Sequence, residues 1–206
     1  MTARPVARRP RKRDTNRKGA GAGHEAPGVR LEEPGLRHRE EFLAAVRRSH
    51  RLHGRWAAAP RDRAHYGAYL ARIDHPSQRG FFVLAPSGAI AGVVNLSEVV
   101  RGNFQSAYLG YYAFAPHNRR GYMTEGLRLV LAEAFGPLGL HRVEANIQPD
   151  NVASKRLVRR LGFLREGLSP RYLKIAGRWR DHERWAITRE EWSPAARARR
   201  TPRRTR

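Results

Sequence analysis

The chain has 206 residues and sets 41 Lys and Arg against 18 Asp and Glu, a formal net charge of +23. That balance excludes an acidic disordered chain, and 40% hydrophobic residues with four Trp supply one packed core but not a second domain of ordinary size. Without cysteine there is no disulfide framework, thiolate metal site or cysteine nucleophile, and no apolar run suits a spanning helix or a secretory signal, so a cytoplasmic chain with no membrane partner is expected.

The charge is concentrated at the ends. Residues 1–30 hold nine basic and two acidic side chains, and residues 193–206 hold six basic and none acidic. Little there can be buried to offset the entropy of ordering, so residues 1–28 and 193–206 are expected to be disordered basic tails around one domain at 29–192. Such tails attract polyanions by counterion release, which makes ribosome or RNA contact one reading and a solvated extension the other.

In chain order, residues 40–52 space Phe42, Leu43, Val46 and Leu52 as an amphipathic helix, and residues 62–73 do the same with Tyr66, Tyr69, Leu70 and Ile73. The apolar runs 80–84 and 90–94 flank Ser87-Gly88 and predict a hairpin, followed by a strand over 108–114. A loop then leads to a helix over 123–135, whose Leu127, Val130, Leu131 and Ala134 share a face. Residues 143–147 alternate as a half-buried strand. Asp150 is expected to cap a helix containing Leu157, Val158 and Leu161, which Gly162 closes in the left-handed conformation. Strands at 163–165, 172–175 and 182–187 complete an α/β (α+β) layer fold, with helices against a mixed sheet.

Asn118-Arg119-Arg120-Gly121-Tyr122-Met123-Thr124-Glu125 lies between a strand and an amphipathic helix. Unpaired amides at a helix start, the positive end of its dipole and a glycine that lets the backbone approach a ligand together suit a diphosphate, with Arg119 and Arg120 adding charge. A plain basic turn is the alternative. One strand later, Asn151-Val152-Ala153-Ser154 opens the next helix, which ends in Leu161-Gly162-Phe163.

These two segments together resemble the Gcn5-related N-acetyltransferase (GNAT) superfamily. The likeness narrows to the RimJ/RimL-type branch, which acetylates ribosomal-protein amino termini, through three stretches. They are Val99-Val100-Arg101-Gly102 running on to Tyr108-Leu109-Gly110-Tyr111, His141-Arg142 with Ala145-Asn146, and Gly177-Arg178-Trp179-Arg180-Asp181-His182 leading to Trp192. The resemblance covers residues 29–194. It implies a mixed, mostly antiparallel sheet splayed between its fourth and fifth strands, with helices on both faces and acetyl-CoA as cosubstrate in the gap. It departs from the family pattern at Asn118, where Gln or Arg is usual, at Met123, where a small residue is usual, and at Arg171, where relatives carry an acid that serves as a candidate base.

The resemblance further implies that Phe114, Ala115, Arg119, Arg120, Gly121, Tyr122, Met123, Thr124 and Asn151 bind coenzyme A. A backbone N–H near Phe114 would face the oxyanion. Ser154 would serve the departing thiolate, with a helix-start hydrogen bond as its alternative role, and Asn151 could likewise act only as a cap. Trp56, Tyr111, Asp181 and His182 are placed on the acceptor side; Trp56 could equally be ordinary packing. Asp181 and His182, adjacent on a strand, should point to opposite faces, so a structural or peptide-orienting role competes with an acid–His pair. His141 and Glu144 are further proton acceptors to consider, and Glu98 or Glu125 could attract an ammonium. The nine His show no zinc-like spacing, so no metal is expected.

The expected activity is acetyl transfer to a protein α-amine, with the N-terminal alanine of a small-subunit ribosomal protein as leading acceptor. A small amine such as an antibiotic or polyamine, or a non-catalytic basic ribosome-associated protein, are the alternatives.

Overall fold

The computed structural model describes residues 28–54, 56–175 and 177–192. The basic extensions therefore lie outside the described residues, Gly28 apart. Strand β1 (Arg30–Glu32) is followed by helices α1 (Arg39–Arg48), α2 (His50–His53) and α3 (Arg63–Ile73). Strands β2 (Arg79–Leu84), β3 (Ile90–Val100) and β4 (Ser106–Ala113) come next, then α4 (Tyr122–Phe135), β5 (Arg142–Ile147) and α5 (Val152–Leu161). The chain continues through β6 (Leu164–Ile175), β7 (Arg178–Thr188) and α6 (Arg189–Trp192).

The strands form one sheet in the order β1-β2-β3-β4-β5-β7-β6. Every neighbouring pair is antiparallel except β4 and β5, which run parallel. Alternating side chains of β2 enter two cores, which is why 80–84 reads as an unbroken apolar run. Phe82 and Leu84 pack with Phe42, Tyr66 and Phe114 under α1 and α3. Phe81 and Val83 pack with Leu127, Val130 and Val143 under α4.

The parallel pairing covers only Ser106–Arg142, Ala107–Val143 and Tyr108–Glu144. Beyond Tyr108, β4 continues to Ala113 paired with β3 alone. The sheet is thus splayed between its fourth and fifth strands, and this fork positions the site.

Several elements differ from the expected boundaries. The helix expected over 40–52 breaks at Ser49, because that buried hydroxyl turns inward and accepts a hydrogen bond from the Ala115 amide at 2.9 Å. The cap of α5 is Asn151, not Asp150: the Asn151 carboxamide oxygen accepts from the Ser154 amide at 3.1 Å. Gly162 closes α5 with φ 104° as expected. Residues 164–165 and 172–175 belong to one long strand, β6, with Phe163 just before it, and its register against β7 shifts twice and so weakens the alternation. Strand β1 was not foreseen; three residues carry too little periodicity.

Candidate active site

Helix α4 starts at Gly121, whose φ of 84° is left-handed, and Arg119 two residues earlier also has a positive φ of 63°. Successive amides in such a turn form an anion-binding concavity, and the first helical bond, Glu125 N–H to Gly121 O, leaves the amides of residues 122–124 available. A Cβ built on Gly121 would meet nothing within 4 Å, so the concavity is open to a ligand. Arg119 and Arg120 are exposed beside it, whereas Tyr122, Met123 and Thr124 are half-buried. Met123, unusual at its position, fits because its sulfur lies over Gly92, where a Cβ would come within 2.2 Å.

Along β4, the Phe114 amide donates to Ala91 O at 2.8 Å and the Ala115 amide to Ser49 Oγ at 2.9 Å. Neither of these two N–H groups can therefore face an oxyanion, so the donor expected near Phe114 lies earlier on β4. Amide direction alternates along an antiparallel ladder, so Tyr111 and Ala113 turn their N–H groups toward the fork instead. The Ala113 carbonyl on that edge interacts with His53 Nε2 at 2.9 Å. Burial holds the His53 imidazole below its ordinary pKa.

The fork is bridged. Tyr111 Oη lies 2.5 Å from Ser154 Oγ, joining β4 to the start of α5. Burial pushes the Tyr111 phenol above its ordinary pKa, partly opposed by that hydrogen bond, so it remains neutral. The cap is made by Asn151, leaving the Ser154 hydroxyl for Tyr111. We expect Ser154→Ala to lower kcat about tenfold or more with little change in coenzyme A affinity, checked by steady-state kinetics beside calorimetry; an unaltered kcat removes the hydroxyl from the chemistry.

On the opposite face of the sheet, Tyr108 and Glu144 form the last rung before the fork. With Glu98, Val100, Phe104 and Ser106 they line a cavity of about 200 Å³. A hydrogen bond with Tyr172, then burial and the charges of Glu144 and Glu98, push the Tyr108 phenol up to about 12. Arg142 engages Glu144 at 2.8 Å. Asp181 accepts from the Arg171 amide at 2.7 Å, while the buried His182 directs Nδ1 to Arg180 O at 3.0 Å. The two form no acid–His pair, and His182 instead packs beside Tyr172 with ring centroids 6.2 Å apart. Glu125 pairs with Arg128 on α4, and His141 pairs with Glu190 at 3.1 Å on the surface.

A second cavity, of about 300 Å³, is lined by Val46, Arg47, His50, His53, Ala59 and Arg61, among others. Trp56 is half-buried nearby, its amide donating to His53 O at 2.8 Å. Ser49 and His53 were missed in the sequence, yet they continue the buried stripe of Phe42 and Val46 at helical spacing; polar residues on an apolar stripe were the available signal. Among the described residues no cluster of three or more His, Asp or Glu could hold a metal ion.

A family model described as Acetyltransferase (GNAT) domain matches residues 29–164. The Bacillus subtilis (strain 168) protein named "Probable N-acetyltransferase YjcK" is 38% identical over 120 residues, 58% of this chain and 66% of that protein. The ribosomal protein uS5-alanine N-acetyltransferase of Escherichia coli (strain K12) is 42% identical over 105 residues, 51% of this chain and 54% of that enzyme. The chain thus spans less than two thirds of the length of these curated relatives. Mycobacterium smegmatis RimJ, solved in complex with CoA-disulfide, superimposes with a TM-score of 0.74 at 26% identity, covering 79% of this chain and 83% of that one. A match that takes in the open loop at Gly121, the forked strands and the whole of α5 makes the chain a member of the GNAT acetyltransferase family, on its RimJ/RimL-type branch.

Proposed function

We propose that this chain transfers the acetyl group of acetyl-CoA to the N-terminal α-amine of a ribosomal protein, with an N-terminal alanine of a small-subunit protein as leading acceptor. The observation that carries the chemistry is the fork: the Tyr111 and Ala113 amides face it and the Tyr111–Ser154 pair spans it. The 42% identity to a uS5-alanine N-acetyltransferase supports the acceptor.

Acetyl-CoA supplies the activated acyl group. The amides of residues 122–124, with Arg119 and Arg120, would hold its diphosphate, and the free edge of β4 would pair with its pantetheine amides. An amide N–H of Tyr111 or Ala113 would face the developing oxyanion. Ser154, hydrogen-bonded to a phenol that stays neutral, would pass a proton to the leaving thiolate and be reprotonated, by way of solvent, with the proton that the acetylated nitrogen sheds. An α-amine with a pKa of roughly 7.7–8.0 is already partly neutral at physiological pH, so holding it in place contributes more than a strong base would.

Incubation with acetyl-CoA and deacetylated ribosomal proteins, read by intact mass, tests the proposal: one acetyl on one small-subunit protein supports it, and coenzyme A binding without acetylation of any ribosomal protein sinks it. A small amine is the second reading, favoured by Glu98 and Glu144 in one cavity and opposed by Arg47 and Arg61 in the other; spermidine turnover in the same assay distinguishes the two. Ribosome or RNA contact through the basic extensions belongs to the first reading. Removing residues 1–27 and 193–206 should then abolish retention on RNA at low salt, and unchanged retention refutes the contact.

A further inference from the structure

Among the described residues, two buried side-chain atoms have no hydrogen-bond partner, His117 Nδ1 and Asn146 Oδ1. The second lies at the fork. Val143, Ala145 and Ile147 of β5 enter the core beneath α4 and α5, so Glu144 and Asn146 point to the other face, that of the Tyr108–Glu144 cavity. On one side β5 pairs Asn146 with Arg184 of β7. On the other side β4 has already parted. Had the register of Tyr108 with Glu144 continued, Gly110 would be the next rung, and a Cβ built on Gly110 meets nothing within 4 Å. A carboxamide oxygen withdrawn from water and without a partner therefore stands on β5 just past the point where the sheet divides.

A buried acceptor without a donor destabilises its own fold and persists where a ligand supplies the missing N–H. We infer that Asn146 is a positioning residue whose carboxamide oxygen accepts an N–H of the attacking primary amine, holding the nitrogen in the gap beside Gly110 on the face opposite α4. The site takes an uncharged primary amine at the end of a chain. Glu98 and Glu144 in the adjoining cavity attract its ammonium form, and Asn146, being neutral, holds the amine once the proton has left. This rests on the acetyl-transfer reading above and assigns the acceptor half of that site.

The test compares the full-length protein with Asn146→Leu, Asn146→Asp and Gly110→Ala, using an alanine-initiated peptide as acceptor. Asn146→Leu should raise the peptide KM roughly tenfold while leaving coenzyme A affinity by calorimetry unchanged. It should also raise Tm by roughly 2–4 °C, because an unpaired buried oxygen is replaced by an apolar group of similar size. Asn146→Asp keeps an oxygen there and should stay within about threefold of wild type. Gly110→Ala fits the fold and should raise the peptide KM by crowding the gap. An unchanged peptide KM in Asn146→Leu overturns the inference. A loss of coenzyme A affinity in its place also overturns it, because the oxygen would then serve a pantetheine amide. Wild-type protein that binds coenzyme A but acetylates neither ribosomal protein nor peptide fails at the underlying reading, a result separable from either.

Discussion

Gly121→Ala should weaken coenzyme A binding by roughly ten- to a hundredfold while the protein stays folded. The residue sits at φ 84°, where an L side chain is strained by roughly 1–2 kcal/mol. The Cβ meets no protein atom within 4 Å, so no clash spreads into the core. The strain is relieved by rotating the loop, which turns the amides of residues 122–124 away from a bound diphosphate. Hydrogen bonds to a charged partner contribute about 1.5–3 kcal/mol each, so one or two lost bonds account for the expected range. Calorimetry with coenzyme A alongside a thermal melt checks both halves: Tm should fall by a few degrees, at roughly 2–4 °C per kcal/mol. Wild-type affinity in this variant would mean that the diphosphate is held elsewhere.

The second large effect lies behind the loop. Gly126 is buried where α4 crosses β2, and a Cβ there would stand 2.4 Å from Val83 Cγ2 and 2.7 Å from Val83 Cγ1. Gly126→Val should cost about 1–3 kcal/mol by overpacking. It should also raise the acetyl-CoA KM, because the helix can relieve the contact only by moving its own amino terminus. Combining it with Val83→Ala removes the clashing methyls and should recover most of the Tm. A double variant no better than the single one would place the damage in contacts other than those with the Val83 methyls, since valine is the better helix former of the two residues.

How much of this was legible varies with the length scale of the interaction. The loop before α4, the hairpin turn at Gly88 and the closure at Gly162 are local, and their residue types restrict backbone angles within four or five positions. The choice between Asp150 and Asn151 as cap was misread because either side chain can cap, and the backbone leading from β5 selects the second. Strand alternation weighs against pairing Asp181 with His182 without deciding it, and the partner of Asp181, the Arg171 amide, depends on a register shift that no pattern in β6 announces.

Composition, period and turn chemistry were thus enough for the layered fold and for a loop of open amides at the start of a helix, while the likeness to the family rests on motifs written in consecutive residues. The working geometry of the fork is not so written. Tyr111 meets Ser154 across 43 positions, His53 meets Ala113 across 60 and Ser49 meets Ala115 across 66. These contacts arise only once the sheet has formed and the two parallel strands have parted, and that parting decides which amides of β4 are consumed and which remain for a substrate. A strand's pattern encodes the face each side chain occupies, but not whether a neighbouring strand will be present to take its N–H groups.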